Sequence, residues 1–220
     1  MVSGSDCGDG LAPPSGLTIH DYGDRALLIE CTGTEAVLTL AAVLRTAALP
    51  GVTEIVPGAR TVLLVLNSTG LQSRTRLVLA TLDLRPSPVP AAENAEVTLA
   101  VVYDGPDLSR VARTLAMTVE DVIRDHTARP WRVGFVGFAP GFAYLVDDET
   151  RLRVPRLAEP RTRVPAGSVA LADGYCGVYP RPSPGGWQLV GHTDSTLWDL
   201  DAPNPALLRP GMRVRFRVKL

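Results

Sequence analysis

Apolar residues recur along this chain at two spacings, and the switches between them mark out its elements. Leu17 to Tyr22 and Ala26 to Cys31 are short apolar-rich runs separated by Gly23, Asp24 and Arg25, which predicts a hairpin. From about Glu35 to Ala47 the spacing lengthens. Val37, Leu40, Ala41 and Leu44 fall on one helical face, Thr34 is placed to cap its start, and Pro50 and Gly51 stop it. Val52 to Val56 and Thr61 to Leu66 flank Pro57 and Gly58 as a second strand pair. Leu71, Leu77, Val78, Leu79 and Leu82 then mark a second helix between Gly70 and Leu82. The order ββαββα predicts two helices on one antiparallel sheet.

The pattern breaks on both sides of this block. Residues 1–16 are rich in Gly, Ser and Pro and read as a disordered tail. Residues 85–94 carry Pro86, Pro88 and Pro90 and read as a linker. Beyond the linker, Val97 to Tyr103 is a strand by its β-branched content. Asp107 is placed to cap a helix reaching about Ala116. Thr118 and Asp121 form an approximate capping box for another, reaching about His126. Arg132 to Phe138 returns to strand. After Tyr144 only short strands follow, near Ser168–Leu171, Gly177–Tyr179, Gln188–Gly191, Thr196–Asp199 and Arg213–Val218, with Gly and Pro between them. Such spacing predicts a barrel or sandwich. The expected architecture is therefore α+β, with a small α/β domain over 17–84 and a β-rich domain over 95–220.

Composition narrows the functions open to the chain. A net charge of −1 over 220 residues argues against nucleic-acid binding. No apolar run approaches the roughly 18 residues that cross a bilayer. The first residues lack the basic and apolar regions of a secretory signal, so a cytoplasmic location is expected. Cys7, Cys31 and Cys176 are too sparse for a disulfide framework and read as incidental or buried thiols. Lys219 is the only lysine. A lysine-bearing phosphate loop is excluded on that ground, and a Schiff-base lysine is not expected, since the sole candidate is the penultimate residue.

The richest chemistry lies between Gly134 and Trp187, where Gly, Pro and aromatic residues alternate with β-branched runs. GFAPGFAYL, PRTRVPAGSVALA and YPRPSPGGWQLVGHT, in that order, resemble the signature runs of the KipI / allophanate hydrolase subunit 1 family. The likeness extends from about Leu17 to Phe216 and is densest from Tyr103 onward. The resemblance implies a cyclophilin-like β-barrel behind the smaller N-terminal domain. It also implies a role as the B component of a bacterial ATP-dependent 5-oxoprolinase, which opens 5-oxoproline to L-glutamate. Two partners are implied for such a complex. One is its C component, similar to KipA and allophanate hydrolase subunit 2; the other is its A component, which is LamB/YcsF-like. ATP is implied as the cofactor of the complex, with a chain of this kind inactive alone. Two other roles occur among resembled proteins. One is regulatory inhibition of a sensor histidine kinase; the other is a carboxyltransferase component of the allophanate hydrolase or urea carboxylase kind.

The candidate site residues each have two readings. Arg156, Arg161 and Arg163 stand beside prolines that stiffen the backbone, and guanidinium groups bind carboxylates bidentately. They bind a substrate carboxylate, or they pair with Glu159, Asp147 or Asp148, or face water. Pro140, Gly141, Phe142 and Tyr144 form a shaped loop that lines a concave site or packs a core. Gln188 offers a donor and an acceptor to an amide or lactam edge. His126 sits in the last turn of its helix, where a cation suits the helix dipole. The family has a histidine at the matching place. His192 stands where many family members carry arginine. Asp147, Asp148 and Glu149 read as a solvated acidic run. His20 reads as structural or exposed. The three histidines have no metal-ligand spacing.

Overall fold

The computed structural model describes residues 17–82, 95–147 and 149–219. The expected tail and linker, Cys7 and Asp148 lie outside the described residues. The chain divides into two compact units, Met1–Ser87 and Pro88–Leu220.

In the first unit β1 (Ile19–Asp21), β2 (Ala26–Glu30), β3 (Val52–Pro57) and β4 (Thr61–Leu66) form an antiparallel sheet in the order β1-β2-β4-β3. Val62, Leu64 and Leu66 of β4 are buried while Thr61, Leu63 and Val65 are half-buried, the period of two that a sheet covered on one face requires. The helix α1 (Thr34–Ala47) buries Val37, Leu40, Ala41 and Leu44, and α2 (Gln72–Thr81) adds Leu79. Val37, Leu40, Leu44, Val62, Leu64 and Leu79 make one core with Leu27, Ile29 and Leu49. Each large aliphatic side chain contributes about 1.5–3 kcal/mol by leaving water. Thr34 is not the cap. Gly33 occupies that position, and the Thr34 hydroxyl donates to the Ala59 carbonyl at 3.3 Å, tying the helix start to the β3–β4 turn.

In the second unit seven strands make one sheet. They are β5 (Glu96–Val101), β6 (Trp131–Val136), β7 (Ala143–Val146), β9 (Ser168–Ala172), β10 (Tyr175–Val178), β12 (Gln188–His192) and β13 (Arg213–Val218). Their order is β12-β9-β10-β7-β6-β13-β5, with only β5 and β13 parallel. The two edges meet. Val102 and His192 exchange two backbone hydrogen bonds of 2.9 Å, so the sheet nearly closes into a barrel. Glycine permits that seam: a Cβ on Gly191 would stand 2.4 Å from the Val102 carbonyl, and one on Gly105 would stand 2.3 Å from that of Leu189. Closure removes the open edges that sheets otherwise expose.

The buried strand β9 shows how the barrel serves two layers. Val169 and Leu171 join the main core with Leu145, Val214 and Phe216, while Ala170 and Ala172 join a second apolar cluster with Phe142, Tyr179 and Trp187. Two short helices, α3 (Leu108–Thr114) and α4 (Val119–Ala128), pack on the main core through Leu108, Val111, Ala112 and Val122. The capping box at α4 is formed: Asp121 N donates to Thr118 Oγ1 at 3.0 Å and Thr118 N to Asp121 Oδ2 at 3.3 Å.

Several local expectations need correction. Thr196–Asp199 is not a strand; only Trp198 is bridged, to Ala206. Three strands were not expected: β7, and β8 (Arg161–Val164) and β11 (Ser183–Gly185), which pair antiparallel as a separate ribbon. Cys176 lies within β10 and is fully buried.

Candidate functional site

The three signature runs come together around Trp187. Its ring meets those of Phe142 and Tyr144 edge-on at 5.5 Å each. Phe142 and Tyr179 are 5.3 Å apart, and Phe135 stacks on Tyr144 at 4.2 Å. Edge-on aromatic pairs contribute about 0.5–1.5 kcal/mol beyond area burial, so the cluster is a stiff platform. The Arg161 Nη1 donates to the Trp187 carbonyl at 3.4 Å, and Gln188 Nε2 donates to the Pro155 carbonyl at 3.1 Å. The loop 137–142, the segment 155–164 and the run 184–188 are thereby one neighbourhood.

Within it the candidate residues divide. Phe142 is buried and packs, whereas Pro140 is exposed, and Gly141 and Tyr144 are half-buried. Burial pushes the Tyr144 and Tyr179 hydroxyls above the ordinary phenol range, so both keep their protons and can donate at neutral pH. Arg156 is exposed and pairs with Asp173 at 3.3 Å. Arg163 is exposed and has no hydrogen-bond or ion-pair partner among the described residues.

Arg161 is committed elsewhere. Its Nη2 stands 2.9 Å from Asp107 Oδ1 and 2.8 Å from Oδ2. The Asp107 carboxylate is wholly buried and also receives the Leu189 N–H at 2.8 Å and the Arg110 guanidinium at 2.9 Å. Asp107 therefore does not cap α3 with its side chain, as its position predicted. It points inward because two guanidinium groups and a buried N–H await it there.

Gln188 is also buried, 5% exposed, and its Oε1 has no hydrogen-bond partner among the described residues. It holds the segment at Pro155 and presents no open amide edge. His126 is not a capping cation. It is fully buried among Tyr103, Trp131 and Phe216, with ring centroids 5.7, 5.4 and 4.4 Å away. Its Nδ1 lies 2.7 Å from the Tyr103 hydroxyl and its Nε2 lies 3.2 Å from Cys176 Sγ. Burial pushes its pKa down to about 3, so the ring is neutral, and burial raises the Cys176 thiol and the Tyr103 phenol far above their usual ranges. A thiol held protonated is no nucleophile. His192 is half-buried and meets Asp104 at 2.8 Å, and His20 is exposed and meets Glu30 at 2.9 Å. In the acidic run, Arg129 bridges Asp147 and Glu149 at 3.2 and 2.6 Å.

Two residues that the sequence did not single out stand beside the 137–142 loop. Trp198 and Arg209 line a groove there together with Phe138, Pro140 and Gly141. A signal was present: Pro210 and Gly211 repeat the Pro-Gly pair of 140 and 141. Among the described residues no cluster of His, Cys, Asp and Glu could hold a metal ion.

A nearly closed barrel with an arginine-rich ribbon and a rigid aromatic platform defines the class. The chain belongs to the family described as carboxyltransferase domain, subdomain C and D, whose pattern matches residues 17–208. Among curated relatives, the 5-oxoprolinase B subunit of Escherichia coli O157:H7 is 38% identical over 171 residues, covering 76% of this chain and 78% of the relative. The protein of the same name from Haemophilus influenzae is 41% identical over 58% of this chain and 61% of its own. That of Bacillus subtilis is 45% identical over 51% of this chain and 47% of its own. Among solved structures, TTHA0988 superposes with a TM-score of 0.74 at 34% identity, over 89% of this chain but only 40% of that one. PH0987 from Pyrococcus horikoshii gives 0.55 at 31% identity, covering 92% and 97%. The urea amidolyase of Kluyveromyces lactis shares the fold, with a TM-score of 0.70 at 20% identity over 92% of this chain and 15% of its own.

Proposed function

We propose that this chain is the B component of an ATP-dependent 5-oxoprolinase, which opens 5-oxoproline to L-glutamate. The observation that carries this reading is the relatedness, at 38–45% identity, to three proteins that bear the name of the 5-oxoprolinase B subunit. That name implies further components. We assign these to a KipA-like protein and a LamB/YcsF-like protein.

ATP activates the lactam carbonyl, and the sequence of this chain holds no lysine-bearing phosphate loop. Its one lysine, Lys219, pairs with Asp194. The nucleotide is therefore assigned to the complex. What the chain supplies is a rigid surface for the substrate, with aromatic walls, arginine and the Tyr144 hydroxyl as a donor.

The test is turnover of 5-oxoproline and ATP by the chain alone and by the chain with both partners. Glutamate should form only in the complex. Glutamate from the purified chain alone would remove the shared-site reading, and none from the complex would remove the 5-oxoprolinase reading. The family description favours one other role, carboxyl transfer. A complex that carboxylates an amide and leaves 5-oxoproline intact would move the assignment there.

A further inference from the structure

Two Pro-Gly turns meet at a groove of about 440 Å³, within the range typical of small-molecule sites. In the first, Phe142 N donates to the Ala139 carbonyl at 2.9 Å, with Gly141 at φ 82°. In the second, Met212 N donates to the Arg209 carbonyl at 3.1 Å, with Gly211 at φ 90°. Both have the form of a type II turn, with Pro second and Gly third. The first turn presses on Trp198 so closely that a Cβ on Gly141 would stand 2.9 Å from that of Trp198. Trp198 is itself held by its bridge to Ala206.

Three features of this groove are unexplained by folding. Phe138 has φ 68°, a conformation that a bulky L residue rarely adopts, and Ala139 N donates back across it to the Gly137 carbonyl at 2.8 Å. That strained backbone presents a ring that is 59% exposed, and Trp198 opposite is 38% exposed. Arg209, on the second turn, has no hydrogen-bond or ion-pair partner for its guanidinium among the described residues. Strain, exposed aromatic surface and an uncommitted cation on rigid turns together describe a preorganised ligand site.

We propose that this groove binds a small cyclic carboxylate, its ring against Phe138 and Trp198 and its carboxylate on Arg209. The identification of that ligand as 5-oxoproline rests on the 5-oxoprolinase reading. A flat lactam ring suits aromatic walls, and a carboxylate suits a planar guanidinium fork. Arg209 takes this role because it lines the groove, which Arg156, Arg161 and Arg163 do not; Arg161 is moreover bound to Asp107 and Arg156 to Asp173.

The experiment has two arms. In the first, the full chain is titrated with 5-oxoproline and followed by tryptophan emission and by calorimetry. Trp131 and Trp187 are buried, so a saturable change of emission reports Trp198 and is lost in Trp198→Phe. Arg209→Ala should weaken binding about tenfold or more, while 2-pyrrolidinone, which has no carboxylate, binds both forms alike. In the second arm, Arg209→Ala in the assembled complex should raise KM about tenfold and leave kcat within about twofold. A wild-type complex that turns over, with an Arg209→Ala KM equal to its own, overturns the groove and leaves the function standing. A complex without turnover, whose chain still binds 5-oxoproline through Arg209, overturns the function and leaves the groove as a carboxylate site. Absence of both binding and turnover overturns both.

Discussion

Asp107 and Arg161 stand 54 positions apart in sequence and meet as a charged pair at 2.8 Å, with the carboxylate wholly out of water. The pair joins the start of α3 to β8, and through the Leu189 N–H it also joins β12. A buried charge that loses its partners is costly, about 3–5 kcal/mol. Asp107→Ala should therefore lower stability by about 3 kcal/mol or more, leaving a buried N–H unpaired and two guanidinium groups without their carboxylate. Arg161→Ala should cost less, about 1–3 kcal/mol, because Arg110 and Leu189 still hold the carboxylate. Denaturant unfolding of both variants checks this. An Arg161→Ala protein as stable as its parent, but unable to use 5-oxoproline, would return Arg161 to the ligand.

His126 makes the fold sensitive to acid. Its folded pKa of about 3 lies below the ordinary value near 6.5 that it regains on unfolding. The unfolded chain therefore takes up a proton that the folded chain refuses. Stability from this group is complete above about pH 6.5 and falls as pH drops from there toward 3, by at most about 1.4 kcal/mol per pH unit. Unfolding free energies at pH 7 and pH 5 should differ accordingly. His126→Gln should be destabilised at pH 7 and should lose that part of the pH dependence. An unchanged acid limb in His126→Gln would show that the protonation occurs elsewhere.

Legibility of the chain followed the range of the interactions involved. The ββαββα order of the first unit was readable because Val37, Leu40, Ala41 and Leu44, and the alternation through Val62, Leu64 and Leu66, express burial locally. The capping box of Thr118 and Asp121 is local as well. What failed was decided at long range. Asp107 looks like a cap until Arg161 arrives from β8. His126 looks like a surface cation until Trp131 and Phe216 enclose it. The ribbon of β8 and β11 was hidden because Arg-Thr-Arg-Val is charged and Ser-Pro-Gly is only three residues long. The motif runs were visible from composition. Their meeting at Trp187, and the groove where the Pro-Gly turns face Trp198, depend on how the barrel folds.

The barrel seam should tolerate no side chain at Gly105 or Gly191. Gly191→Ala would place a Cβ 2.4 Å from the Val102 carbonyl, and its nearest contacts include backbone, which cannot swing aside. The Val102–His192 bridge must then open, exposing the edges of β5 and β12. Loss of stability of about 2 kcal/mol or more is expected, within the range of severe core disruptions. Hydrogen exchange reads the mechanism directly: the amides of Val102 and His192 should exchange faster, while those of β4 in the first unit keep their protection. Uniform loss of protection in both units would mean that the substitution acts on something other than the seam.

Phe138 offers the sharpest separation of folding from function. Replacing a buried phenylalanine costs about 3–5 kcal/mol, but this ring is mostly exposed and its backbone is strained. Phe138→Gly removes edge contacts with Phe142 at 5.3 Å and Tyr179 at 6.2 Å, worth about 0.5–1.5 kcal/mol each at most. It also removes the left-handed penalty of about 1–2 kcal/mol, since glycine adopts φ 68° freely. The unfolded chain gains freedom that offsets part of this relief. Net stability should stay within about 1 kcal/mol of the parent. Ligand affinity in the groove should nonetheless fall severalfold, because one of its two aromatic walls is gone. Melting temperature and 5-oxoproline binding, measured on the same sample, check both halves. A Phe138→Gly protein that melts early and binds normally would make the ring a packing element and leave the strain without a functional purpose.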